Sequence, residues 1–135
     1  MNYNNLNIKL KNMTEKAINI ALDSLENGNQ LYPFVVFGID GKSLQRFIVE
    51  SADDAYNLAE GFIEEIDEES PIAILTYYDK LKFKDGEYDA IIIQAYDEDE
   101  EDGYSFGQLY ENTDNKIRIL NKKYFLGKIR NILIF

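Results

Sequence analysis

The chain has 135 residues, 45% of them apolar, and its net charge is −11. This length and composition predict one globular domain with a single core. The sequence contains no cysteine and no histidine, which excludes disulfides, thiolate nucleophiles, zinc fingers and histidine-dependent catalytic triads. Because so negative a chain repels phosphate backbones, we expect no nucleic-acid partner.

The first predicted element is an amphipathic helix over residues 4–27, where apolar side chains recur at spacings of three and four. An Asn-Gly-Asn run over 27–29 is typical of a helix end. Residues 31–39 and 44–50 contain several β-branched and aromatic side chains and flank an Asp-Gly turn at 40–41. This pattern predicts a β-hairpin.

A second helix is predicted to begin at Ser51, whose hydroxyl can cap it, and to stop before Pro71. Glycine inside a helix costs about 1 kcal/mol relative to alanine. The presence of Gly61 in this helix therefore indicates that a strand backbone passes close by.

Four further strands are predicted, over residues 72–84, 87–97, 103–111 and 116–126. Lysines alternate with apolar residues over 80–84, which indicates a sheet with one wet face. The predicted fold class is α+β: an N-terminal helix, a β-hairpin, a second helix and an antiparallel meander, with roughly five to six strands and two helices on one face. The apolar residues 131–135 are expected to pack on the core or in a subunit contact.

Two segments, residues 64–69 and 97–102, concentrate the negative charge. They are either solvated surface that keeps the protein soluble or a docking surface whose charge speeds association with a basic partner. The sequence leaves both interpretations open.

Aromatic residues flank the second acidic segment. Tyrosines beside carboxylates are frequent in protein interfaces, although rings on neighbouring strands also stabilise sheets. The predicted partner-binding residues are Tyr96, Asp97, Asp99, Glu101, Asp102, Tyr104, Phe106 and Tyr110.

The sequence predicts no enzyme, no cofactor and no metal site. Its glycines are scattered, so no phosphate-binding loop precedes a helix, and its serines have no histidine to activate them. Residues 98–103 resemble the start of a calcium loop, but Leu109 occupies the position that needs a bidentate acid.

Targeting signals are absent from the sequence. Its first residues lack a basic and apolar leader, and no apolar run approaches the roughly 20 residues of a membrane span. The expectation is a cytoplasmic protein that does not contact a membrane.

Several short motifs resemble a group of small, mostly uncharacterised bacterial α+β domains. They are a Pro-Phe pair at 33–34, Asp-Gly turns at 40–41 and 85–86, an Asp-Ala pair at 89–90 and the run Gly-Gln-Leu-Tyr at 107–110. The resemblance implies a fold more than a role. Some bacterial proteins of similar size and acidity are immunity partners of secreted toxins.

The leading functional prediction is a non-enzymatic interaction module that binds a basic protein partner, for example a toxin that it neutralises. One alternative is a small-molecule binding or catalytic module with a tyrosine-lined pocket between sheet and helices. Another is a self-associating domain, possible as a homodimer, joined through sheet edges or through residues 132–135.

Overall fold

An antiparallel sheet with one helix on each face forms the fold, in a computed structural model that describes residues 2–66, 71–114 and 116–133. The sheet has six strands in the order β2-β1-β3-β4-β5-β6. The elements are α1 (Ile8–Glu26), β1 (Phe34–Phe37), β2 (Ser43–Arg46), α2 (Ala52–Glu64), β3 (Ile72–Phe83), β4 (Gly86–Asp97), β5 (Asp102–Thr113) and β6 (Lys116–Arg130). The predicted succession of helix, hairpin, helix and antiparallel meander is confirmed.

The two helices lie on opposite faces of the sheet, so the prediction that they share one face is wrong. In β1, Phe34 and Val36 belong to the core that contains α1, whereas Val35 packs in the core that contains Ala59 and Ile63 of α2. The reason lies in the apolar runs 34–37, 72–75 and 90–93, which bury both faces of the central strands. The alternation of lysines with apolar residues over 80–84 describes only the solvent-exposed C-terminal end of β3.

Helix α1 begins later than predicted because Asn7 caps it. The Asn7 Oδ1 atom accepts a hydrogen bond from the Leu10 backbone N–H at 2.9 Å, and residues 3–5 form a separate 3-10 turn. The buried stripe of α1 comprises Leu10, Met13, Thr14, Ala17, Ile18 and Ala21.

Helix α2 has the predicted cap, since the Ser51 hydroxyl accepts from the Asp54 backbone N–H at 3.3 Å. The expectation about Gly61 is wrong: a Cβ atom at this position would meet no heavy atom within 4 Å. The glycine therefore lowers the stability of α2 without making room for a strand.

The first hairpin is shorter than predicted. Gly38 and Asp40 have positive φ values of 84° and 59°, so the chain leaves the extended conformation two residues before the predicted turn. Residues 39–41 form a 3-10 turn between β1 and β2.

The sheet curls so that side chains from β3 and β6 meet across β4 and β5. The rings of Phe83 and Tyr124 lie 5.0 Å apart between centroids. Beneath them Ala90, Ile92 and Leu109 form a small separate core on the face that α2 occupies further along. At the end of the chain, Ile132 packs in the core under α2, while residues 134–135 lie outside the described residues.

Two buried threonine hydroxyls, those of Thr14 and Thr76, have no hydrogen-bond partner among the residues that the structure describes. An unpaired buried hydroxyl destabilises a fold by about 1–3 kcal/mol. We therefore expect Thr76→Val to raise the free energy of unfolding by about 1 kcal/mol, measured by urea denaturation. The exposed Thr113→Val is the matched control and should change stability by less than about 0.5 kcal/mol. A loss of stability in Thr76→Val would contradict the absence of a partner.

Candidate functional site

The four ring residues of the predicted binding surface are buried. Tyr96, Tyr104, Phe106 and Tyr110 are 1%, 8%, 0% and 5% exposed, respectively. Tyr96 packs in the core under α2, and the other three pack in the core under α1. The prediction that these rings share one surface with the carboxylates is therefore wrong. Successive strand residues point to opposite faces, and each of these faces is covered by a helix.

Asp97 is also buried, at 5% exposed, and its carboxylate has a structural role. Its Oδ2 atom accepts a hydrogen bond from Asn7 Nδ2 at 3.0 Å, and its Oδ1 atom accepts from the Asp99 backbone N–H at 2.9 Å. Because both oxygens are occupied inside the protein, Asp97 holds the loop that follows it and is not available to a partner.

The predicted carboxylates that face solvent are those of Asp99, Glu101 and Asp102. Asp99 and Glu101 are exposed, and Asp102 is half-exposed with an oxygen 3.8 Å from Lys128 Nζ. Burial, and after it the carboxylates of Glu100, Asp102 and Glu101, raise the pKa of the Tyr104 phenol above its ordinary value. The structure therefore keeps three of the eight predicted residues at the surface.

Besides Asn7, a second asparagine holds the β4–β5 loop, residues 98–101. This residue, Asn131, was not among the predicted site residues. Asn131, which is 4% exposed, donates through Nδ2 to the backbone carbonyls of Asp97 at 2.8 Å and Glu100 at 2.9 Å. Asn7 Nδ2 also donates to Glu100 Oε1 at 3.3 Å. An asparagine at a helix start is a recognisable capping signal, whereas nothing local marks Asn131, whose partners lie 31 and 34 residues away.

The first acidic segment reaches the same end of the sheet as the β4–β5 loop. Glu64, in the last turn of α2, lies 3.4 Å from Arg130 Nη2, and Arg130 pairs in the sheet with Asp102. The backbone N–H of Glu98 donates to the Pro71 carbonyl at 2.8 Å, so the start of β3 borders the loop. The rest of the first acidic segment, residues 67–69, lies outside the described residues. We call Glu64, Glu65 and residues 98–102 the acidic end.

The acidic end can attract cations through its field. Within residues 2–66, 71–114 and 116–133, no three carboxylates come close enough together to hold a metal ion. The chemistry it offers is hydrogen bonding and ion pairing by exposed carboxylates on a fixed loop.

Comparison with known proteins finds no match: no family model, no curated protein and no solved structure is similar to this chain. The resemblance to small bacterial domains therefore stays a prediction. No helix in the described part of the chain is both long and apolar enough to cross a membrane.

Proposed function

We propose that the protein is a non-enzymatic interaction module that binds a basic protein partner through the acidic end. The observation that carries this proposal is that Glu64 and Glu65, from the described part of the first acidic segment, lie at the same end of the sheet as residues 98–102, where Arg130 bridges from β6 to Glu64.

Electrostatics favours this role. Carboxylates of one sign on one surface steer a cationic partner during diffusion and raise the association rate by about 10-fold to 1,000-fold at low salt. The loop carboxylates of Glu98, Asp99 and Glu101 form no ion pair within the described residues, so they are available to a partner.

The β4–β5 loop is also ordered before binding, which favours the complex in addition to the electrostatic steering of the partner. The hydrogen bonds from Asn7 and Asn131 hold the β4–β5 loop in one conformation before any partner arrives. A loop ordered in advance loses less conformational entropy on binding. Because the tyrosine rings of the original prediction are buried, the aromatic anchors of the interface would have to come from the partner.

A concrete form of this function is the neutralisation of a basic enzyme in the cytoplasm, such as a toxin whose cationic cleft the acidic end would cover. An acidic inhibitor that blocks a cationic cleft needs fast association more than a large apolar interface. This form is consistent with the net charge of −11.

Neutralising the loop tests the proposal. The triple variant Glu98→Gln, Asp99→Asn, Glu101→Gln is expected to slow association with a partner recovered by affinity capture by about tenfold or more at low salt. Surface plasmon resonance at several salt concentrations gives the rate constants. The rate of the wild type should fall steeply with salt, and the rate of the variant, which keeps the other carboxylates of the acidic end, should fall less steeply.

A second triple variant, Asp23→Asn, Glu26→Gln, Asp114→Asn, is the matched control. It removes the same number of exposed charges at other places on the surface. We expect its association rate to stay within about twofold of wild type, because steering depends on where the charge lies. Equal slowing in both variants would mean that only net charge matters and would reject the acidic end as the binding surface.

A further inference from the structure

A cleft of about 320 Å³ lies at the C-terminal end of α1, away from the acidic end, where β1 stops pairing with β3. The β1–β3 ladder ends at Phe34 and Thr76, and the preceding Pro33 has no N–H to continue it. From Tyr77 onward, β3 pairs only with β4. The space left beside this edge is closed by the last turn of α1 and the first turn of α2. Its volume is in the range of ligand sites.

Four tyrosines line the cleft, from different parts of the chain: Tyr32, Tyr77, Tyr78 and Tyr110. Two of them are fixed by other side chains. Tyr78 donates its hydroxyl hydrogen to Asp89 Oδ1 at 2.7 Å, and the ring of Tyr77 packs edge-on against Tyr56 at 5.1 Å. These contacts hold the rings in place before a ligand binds.

Tyr110 differs from the others because its side chain is only 5% exposed, yet its hydroxyl oxygen is not among the buried unpartnered polar atoms of the described residues and therefore reaches the solvent in the cleft. Burial and the charge of Asp89 raise the pKa of Tyr110 to about 12, so the phenol is neutral at physiological pH. A neutral hydroxyl that reaches the cleft can donate a hydrogen bond to a ligand there or accept one from it.

The charge of the lining decides which ligand the cleft suits. Glu50 is the one formally charged side chain among the described lining residues, and the lining contains no lysine or arginine. Behind the rings lies the carboxylate of Asp89, bonded to Tyr78. An anion would find no positive partner here, whereas tyrosine faces attract cations by about 0.5–2 kcal/mol each.

We propose that this cleft binds an organic cation, an alkylated or quaternary ammonium group that packs against the rings of Tyr78 and Tyr110, which point to the α1 face of the sheet, with Glu50 as its counter-ion. The apolar part of the lining, which includes Leu31, Val49 and Ala55, would contact the alkyl groups. A hydroxyl or carbonyl of the ligand would pair with the Tyr110 hydroxyl. This site is separate from the acidic end, so neither proposal depends on the other.

A titration followed by two-dimensional NMR of backbone amides tests the proposal with choline as the probe. We expect saturable binding in the millimolar range, as suits a ligand of this size, with the largest shifts at residues 30–32, 49–52 and 77–78. The neutral isostere 3,3-dimethyl-1-butanol is expected to bind at least about tenfold more weakly. Equal binding of the two probes would overturn the cation assignment. Choline shifts confined to residues 98–102 would overturn the site.

Two variants link the binding to the cleft. Tyr78→Ala is expected to weaken choline binding by about 3-fold to 30-fold, and Glu50→Gln should weaken it as well. Tyr88→Ala is the matched control, because its hydroxyl also donates to a carboxylate, that of Asp85 at 2.9 Å, but its ring lies outside the cleft. Thermal denaturation of each variant shows that it is folded. An equal loss in Tyr88→Ala would reject the proposal.

A peptide that carries trimethyl-lysine tests whether the quaternary ammonium ligand is a small free molecule or a modified side chain of another protein. If it binds at least tenfold more tightly than choline, the ligand is a modified side chain of another protein. If the two bind equally, the ligand is a small free cation. Failure of both probes at 50-fold above the expected dissociation constant would overturn the proposal.

Discussion

Replacing Gly103 by alanine is expected to lower the free energy of unfolding by about 2–3 kcal/mol, because the added methyl group has no space. A Cβ atom at this position would lie 2.7 Å from Cε1 of Tyr96 and 2.9 Å from Cγ1 of Ile129. Tyr96 cannot move aside easily: it is 1% exposed, and its hydroxyl donates to Gln94 Oε1 at 2.8 Å. Urea denaturation followed by far-UV circular dichroism measures the change.

Gly61→Ala is the control for this prediction, and its effect should have the opposite sign. Gly61 lies in α2 with open space around the Cβ position, so alanine should raise the stability by about 1 kcal/mol. The double variant Gly103→Ala, Tyr96→Leu should lose less than the sum of its single variants, because the smaller side chain removes the clash. Strict additivity would show that the ring of Tyr96 is not the obstacle.

Replacing Asn131 by alanine is expected to lower the free energy of unfolding by about 2–3 kcal/mol. The change removes the donor to the carbonyls of Asp97 and Glu100 and also the acceptor of the Leu133 backbone N–H. A buried carbonyl that loses its hydrogen-bond partner lowers the free energy of unfolding by about 1–3 kcal/mol. The Asp97 carbonyl keeps one bond, from the Glu100 backbone N–H at 3.0 Å, which limits the loss.

Asn131→Asp separates the two functions of this side chain. It keeps an oxygen for the Leu133 N–H but removes the donors and adds a charge beside carbonyl groups, so we expect a loss at least as large as that of Asn131→Ala. The exposed Asn112→Ala should change stability by less than about 0.5 kcal/mol. If Asn131→Asp were as stable as wild type, the two donated hydrogen bonds would contribute nothing.

Loss of Asn131 should also affect the proposed function. Hydrogen exchange at the amides of the β4–β5 loop is expected to speed up in Asn131→Ala, since the loop loses two of its anchors. A looser acidic end would bind a basic partner more weakly through entropy even though its charge is unchanged.

Local signals in the sequence predict which elements form and in what order. Periodicity of three and four predicts α1, and the Asp-Gly pair at 85–86 marks the hairpin between β3 and β4, although the turn lies one residue earlier, at 84–85, with Gly86 in β4 opposite Phe83. The capping serine of α2 was also recognisable. These signals are local, since turns and caps depend on residues within a few positions of one another.

Which faces of the sheet are covered, and where the sites lie, depends on long-range packing. An apolar run such as 72–75 is compatible with one covered face or two, and the position of α2 settles this through contacts with Val35 and Leu75, far from it in sequence. The same long-range packing buries Tyr96 and Phe106, which the sequence placed at the surface. It also brings Tyr32, Tyr78 and Tyr110 to one cleft. Such contacts follow from how the strands pair and the sheet curls, because loop closure between distant segments leaves no periodic signal in the residues that meet.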